Sequence, residues 1–288
     1  MKIHQTLLQF TLIVSVLTST FSIARAQNGD QILDGIGETG LSARYVFDGD
    51  VKDWSRNNFH AKIQGEGAKF IHDNRFGKVL SLSGDNNSYI TIPGAVLTDV
   101  ESLSISGWIF LRSKQSGQHF FDFGKDAENH FFAAPAGIGS LEGLQTFITT
   151  KSPIKKEAVS TAIALNKWIY LTIVIDVPSK SVITYVEGKP VSQITDIPLD
   201  LNAVFDLQSV RKNQLFVGKS ILPGAPFLNA LIHDFRIYRV PLSARQISGI
   251  YRNGQKGSQE NAVNVGKGED DLPKFSTGTA QLYNRYLK

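Results

Sequence analysis

The chain has 288 residues, 42% of them hydrophobic and 19% charged, with a formal net charge of +4 and no cysteine. Lack of cysteine excludes disulfides, thiol nucleophiles and a cysteine-borne lipid anchor, so a packed core must supply the stability. The only basic pairs, Lys155-Lys156 and Arg211-Lys212, are too small to track a phosphate backbone; they are expected as solvated loop charges, and a nucleic-acid partner is excluded.

At the N-terminus Lys2 precedes an apolar run from Leu7 to Leu17, and Ala24-Arg25-Ala26 follows. That is the pattern of a signal peptide over residues 1–26, with cleavage after the small-residue site. The run is too short to span a bilayer, and no later stretch reaches the roughly 18 apolar residues a span needs. The expected product is exported and soluble, whether periplasmic, cell-surface or secreted, starts near Gln27 and is not a lipoprotein. Cleavage also removes Lys2 and Arg25 from the 30 basic side chains, so the balance against 26 acidic ones falls from +4 to +2. Residues 27–41 are glycine-rich and read as a flexible segment.

From Arg44 to Tyr238 short runs rich in Val, Ile, Phe, Tyr and Thr alternate with Gly, Asn, Asp, Ser and Pro clusters, an all-β signature. Strands are expected at 44–48, 60–64, 79–83, 89–92, 103–112, 119–123, 130–134, 145–149, 168–176, 182–187, 190–193, 215–218 and 230–238. In the fifth, Leu103, Ile105, Ile109 and Leu111 share one face while Trp108 and Phe110 share the other, so both faces should be covered and the strand central. Glu187-Gly188 between two such runs marks a tight hairpin. No fixed-period repeat argues for a solenoid or propeller.

The chain then runs Leu231, His233, Phe235 and Ile237 in alternation with Ile232, Asp234, Arg236 and Tyr238, reaches Pro241, and sets Ser243 three residues before Gln246. This is a strand stopped by proline and followed by a capping box that opens one short helix. Residues 253–288, with Gly254, Gly257, Gly266 and Gly268, read as a linker-like tail.

Five pieces in order carry a resemblance to a known family: Tyr45-Val46-Phe47-Asp48 with the Asp53-Trp54-Ser55-Arg56-Asn57 turn; Leu80 to Gly84 with Tyr89 to Pro93; Leu103 to Ile109; Trp168 through Lys189; and the closing strand and helix. Over residues 42–252 the chain resembles the laminin G-like domains of the concanavalin A-like lectin/glucanase superfamily. It is most similar to those joined to bacterial glycoside hydrolases such as β-L-arabinofuranosidases. The resemblance implies an all-β, concanavalin A-like jelly-roll sandwich of two antiparallel sheets with one short C-terminal helix.

Glucanases of this superfold carry two or three carboxylates on one strand face, about 5 Å apart for retaining hydrolysis. No such run is present here. Asp126-Ala127-Glu128 falls where a turn is expected, Gly139-Ser140-Leu141-Glu142-Gly143 lacks the spacing of a nucleophile elbow, and the histidines lack zinc-site spacing. No catalytic residue is assigned.

The resemblance also implies one possible structural calcium where the first and last strands meet, with Asp48 and Asp234 at the matching positions. Relatives often carry a second acid where this chain has His233, a poor calcium ligand; the alternative is that Asp234 pairs with Arg44 or Arg236. For a sugar, Trp54 in its polar turn is a candidate stacking ring, and His119 and His130 could line a concave face. Trp108 and Trp168 are expected in the core. The expected function is thus an exported, non-catalytic carbohydrate-binding or interaction module linked to polysaccharide utilisation, its partner a glycan or another extracellular protein. The alternatives are the accessory part of a truncated or diverged glycoside hydrolase, and a structural or adhesion spacer.

Overall fold

The computed structural model describes residues 40–85, 87–151 and 154–264. The expected signal peptide, the segment up to residue 39 and the tail beyond 264 lie outside the described residues.

The strands are β1 (Leu41–Tyr45), β2 (Lys62–Gln64), β3 (Ala68–Asp73), β4 (Gly77–Ser83), β5 (Tyr89–Thr91), β6 (Leu103–Leu111), β7 (Phe121–Asp126), β8 (Asn129–Ala134), β9 (Leu144–Thr149), β10 (Lys155–Ser160), β11 (Trp168–Asp176), β12 (Ser181–Val186), β13 (Lys189–Ile194), β14 (Gln214–Val217) and β15 (Asn229–Tyr238). A one-turn helix α1 (Leu201–Val204) precedes β14, and α2 (Ala244–Asn264) follows β15. One sheet has the order β13-β12-β11-β6-β15-β4-β3 with β1 also on β15; the other runs β10-β9-β8-β7-β14-β5-β2. These strand pairs are all antiparallel, as in β11 on β6, where Tyr170 faces Trp108. The result is the two-sheet sandwich implied by the resemblance.

Alternation in each strand sends one set of side chains between the sheets. Ile105, Ile109 and Leu111 of β6 meet Phe121 and Phe123 of β7, Phe131 of β8 and Phe235 of β15 in that layer, each fully buried side chain contributing about 1.5–3 kcal/mol. The opposite face of β6 is covered as well. Trp108, Trp168, Tyr170 and Leu231 form a second apolar cluster with Ile247 and Ile250 of α2. The two tryptophans are therefore buried as expected, though under the helix and not between the sheets.

Helix α2 opens with the reciprocal cap read from the sequence: the Ser243 amide donates to Gln246 Oε1 at 2.8 Å, and the Gln246 amide donates to Ser243 Oγ at 3.3 Å. It runs to Asn264, well into the stretch whose composition reads as linker. Gly254 explains part of this: a Cβ there would lie 3.0 Å from Trp108 Nε1, so the missing side chain lets the helix approach the indole closely. At the expected hairpin, Glu187 and Gly188 have φ of 51° and 78°, the paired positive values of a two-residue turn between β12 and β13.

Two strands were not foreseen. β3 and β10 are largely exposed along their length, so they lack the buried alternation that marks a strand. Lys155 and Lys156 belong to β10 and not to a loop; lysines on an edge strand discourage pairing with another chain.

Candidate functional site

The outer face of the β10-β9-β8-β7 sheet holds a groove of about 450 Å³. Its floor is made by alternate residues of neighbouring strands: His130 and Phe132 from β8, Gln145 and Phe147 from β9. Phe132 and Phe147 stand opposite each other in the ladder and stack, with ring centroids 5.0 Å apart and planes at 21°. Lys155 and Glu157 from β10 form one wall, and Ile138, Leu141 and Leu222 complete the rim.

Beneath the floor lies a carboxylate that the sequence reading passed over. Asp122 of β7 is fully buried and accepts from His130 Nδ1 at 2.8 Å, Ser220 Oγ at 3.0 Å and the Ile221 amide at 2.8 Å. Three donors compensate its burial, as a buried carboxylate requires. Its proton acceptor role places the His130 proton on Nδ1, so in the neutral ring Nε2 keeps its lone pair. The Ser220 hydroxyl in turn accepts from the Leu222 amide at 3.0 Å, so Asp122 also anchors the loop that brings Leu222 to the rim. Gly124 faces His130 in the β7–β8 ladder; a Cβ there would run into the Asn129 carbonyl and lie 2.6 Å from His130 Cα, so glycine lets the two strand backbones approach this closely. The one signal in the sequence was a lone acid inside Phe120-Phe121-Asp122-Phe123.

His119 does not line the groove. It is 0% exposed, its Nδ1 lies 2.8 Å from the Gly117 carbonyl, and its ring packs edge-on against Phe132 at 4.4 Å. Nε2 is 3.9 Å from Asp122 Oδ2 and has no hydrogen-bond partner. Burial pushes its pKa down, and the Asp122 carboxylate offsets this only in part. Its role is to support Phe132 from below.

On the wall, Gln145 Nε2 donates to Glu157 Oε2 at 2.6 Å. The carboxylate can only accept, so the amide nitrogen must face it and the oxygen must face away. Gln145 Oε1 is buried without a donor.

Trp54 is 43% exposed but is not part of this groove. Its turn is tied around Asp53, which accepts from the amides of Arg44, Ser55 and Phe59 at 2.8–2.9 Å, and this knot turns the indole outward. Asp126 and Glu128 form a turn as expected: Asp126 Oδ1 accepts from the Glu128 and Asn129 amides, each at 2.9 Å. A larger cleft of about 600 Å³ lies on the other sheet beside Lys69, Ser81 and Arg112. No aromatic ring lines it.

Asp48 and Asp234 do not form a calcium site. Asp234 sits at a bulge in β15, at φ 50°, and its carboxylate is held by Arg44 Nε at 2.7 Å and Arg236 Nη2 at 2.6 Å. Burial pushes its pKa up, but Arg236 and Arg44 outweigh that and hold it well below the usual carboxylate range. Two guanidiniums occupy the oxygens a cation would need, Asp48 is exposed, and no group of three or more His, Cys, Asp or Glu suited to a metal exists among the described residues. The residues present do not fit calcium, which takes six to eight oxygens.

The chain matches the family model described as the concanavalin A-like lectin/glucanases superfamily over residues 84–248, more than half its length. No curated protein sequence matches it. Among solved structures it is similar to domain 4 of AbnA, a GH43 extracellular arabinanase from Geobacillus stearothermophilus, in complex with arabinotriose: 22% identity, TM-score 0.59, covering 74% of this chain and 98% of that one. It is also similar to the binding domain of botulinum neurotoxin serotype D/C VPI 5993, with 17% identity, TM-score 0.57, and 76% and 53% of the two chains covered. The binding domain of botulinum neurotoxin DC in complex with SialylT gives 18%, 0.56, 76% and 52%. This chain spans about half the length of the neurotoxin binding domains, and at these identities the likeness is one of fold. No helix among the described residues is long and apolar enough to cross a membrane.

Proposed function

The chain belongs to the concanavalin A-like lectin/glucanases superfamily, and from that premise we propose that it is a non-catalytic carbohydrate-binding module of an exported protein, acting as an accessory in polysaccharide use. The observation that carries this reading is the groove on the β10-β9-β8-β7 sheet. A stacked aromatic pair on its floor offers apolar faces to sugar C–H groups, and polar side chains around that pair offer hydrogen bonds to hydroxyls.

Two further points support it. The similar arabinanase domain was solved with arabinotriose, and fold likeness makes a sugar ligand here reasonable without naming it. The polar groups around the groove are engaged in fixed pairs, Asp122 with His130 and Glu157 with Gln145, an arrangement suited to orienting a ligand. Export rests on the pattern of residues 1–26, and mass spectrometry of secreted protein starting at Gln27 would check it.

Affinity electrophoresis through gels containing soluble polysaccharides tests the binding. Retardation in at least one gel, abolished by Phe147→Ala, is expected. Free migration through a broad panel would overturn the reading, and release of reducing sugar by the purified chain would overturn its non-catalytic part.

A further inference from the structure

Resting on that carbohydrate reading, we infer that the groove selects uncharged, hydroxyl-rich sugar units and discriminates against acidic ones such as uronates and sulfated or sialylated sugars. The groups around it are almost all acceptors. In the neutral ring His130 carries its proton on Nδ1 toward Asp122 at 2.8 Å, which leaves Nε2 with a lone pair. Gln145 is 3% exposed, one of its two amide N–H groups goes to Glu157 at 2.6 Å, and its Oε1 is buried with no donor. Glu157 is a carboxylate. Thr149 Oγ1 gives its proton to the Ile154 carbonyl at 3.2 Å. Among the described residues that line the groove, Lys155 alone carries an ammonium, exposed on the edge strand.

Sugar hydroxyls both donate and accept, so a neutral saccharide can meet His130 Nε2 and Glu157. A carboxylate or sulfate brings acceptors only. It would set lone pair against lone pair at the neutral His130 ring and charge against charge at Glu157, with the buried Asp122 carboxylate below. The apolar pair Phe132 and Phe147 supplies no compensating donor. The selectivity runs against the small positive net charge of the chain, which would favour acidic polymers non-specifically.

The experiment is affinity electrophoresis and calorimetric titration of the full chain at physiological ionic strength. The probes are neutral arabinan, xylan and galactan, the polyuronates polygalacturonate and alginate, and the amine-bearing polymer chitosan. At least one neutral polymer is expected to bind through the groove, with loss on Phe147→Ala, and each polyuronate to bind at least tenfold more weakly. Glu157→Gln keeps an oxygen to accept from Gln145 while removing the charge, and should narrow that gap. Polyuronate binding as tight as the best neutral polymer and sensitive to Phe147→Ala, or a gap unmoved by Glu157→Gln, would overturn the inference while leaving carbohydrate binding intact. Chitosan, whose ammonium groups donate, should bind more tightly than either polyuronate, and the reverse order would also overturn it. Absence of binding to every polymer would overturn the carbohydrate reading itself.

Discussion

Arg44 and Asp234, 190 positions apart in the chain, meet at 2.7 Å and join the first strand to the last at the bulge in β15. The bulge falls where β15 leaves β4 and takes up β1 on the same side, and the Asp234 amide donates to the Val46 carbonyl there at 3.2 Å. Asp234→Ala would remove the carboxylate that pairs with Arg236, whose side chain is 4% exposed; removal of one partner of such a buried pair costs about 3–5 kcal/mol. Urea denaturation should show that loss. Because the carboxylate is already neutralised by arginine, millimolar calcium should leave the melting temperature of the native chain unchanged, and a clear upward shift would contradict the geometry.

Stability should fall in mild acid. His233, stacked on Phe76 at 4.4 Å, has its pKa pushed down to about 4, first by burial and further by Arg44 and Arg236 against the opposing pull of Asp234 and Asp48. Burial also lowers His119. A base with a depressed folded pKa stays neutral in the fold while the unfolded chain takes up its proton near pH 6.5, so stability is full above that pH and declines as pH falls toward 4. Asp234 remains ionised throughout this window and does not mask the effect. With His233 only partly buried, its share is about 1–2 kcal/mol. Urea midpoints compared at pH 7 and pH 4.5 should show the decline, and His233→Gln should reduce it.

Asp122→Asn should loosen the groove from below. The carboxamide cannot accept from His130, Ser220 and Ile221 as the carboxylate does, and a buried donor left unpaired costs about 1–3 kcal/mol. The readout specific to this role is amide exchange: Ile221 and Leu222 should exchange faster, while the amides of β6 and β11 stay protected. Ligand affinity should drop by about tenfold, equivalent to about 1.4 kcal/mol.

The helix should be as necessary as the sheets. Trp108 contacts Tyr170 at 5.1 Å and Tyr251 at 5.7 Å between ring centroids, with the Arg75 guanidinium 4.2 Å from its ring. Trp108→Ala should cost about 3–5 kcal/mol. Gly254→Leu is the sharper check, since leucine improves helix propensity by about 0.8 kcal/mol yet its Cβ would meet the indole. A lower melting temperature with red-shifted tryptophan emission is expected; a higher one would mean that α2 does not pack on Trp108.

Local pattern was enough for much of the fold. Period-two alternation in β6 foretold that Trp108 and Ile109 would face different layers, and Ser243 with Gln246 announced the start of α2, because caps and strand faces are set by residues a few positions apart. The exposed edges β3 and β10 escaped, since an edge strand buries little and leaves no periodic mark. The length of α2 escaped as well, because what holds Gly254 in the helix is an indole from β6.

The sequence by itself determined the all-β class, the central place of β6, the lack of cysteine chemistry and the place of the helix start. It also carried every residue of the groove. Only the tertiary structure decided that Asp122 would sit under His130 with Ser220, 98 positions away, that His119 would be sealed below Phe132, and that Asp234 would go to Arg44 and Arg236 and not to a cation. Those choices depend on which strands pair and in what register, and a one-residue slip would send each of these side chains to the opposite face.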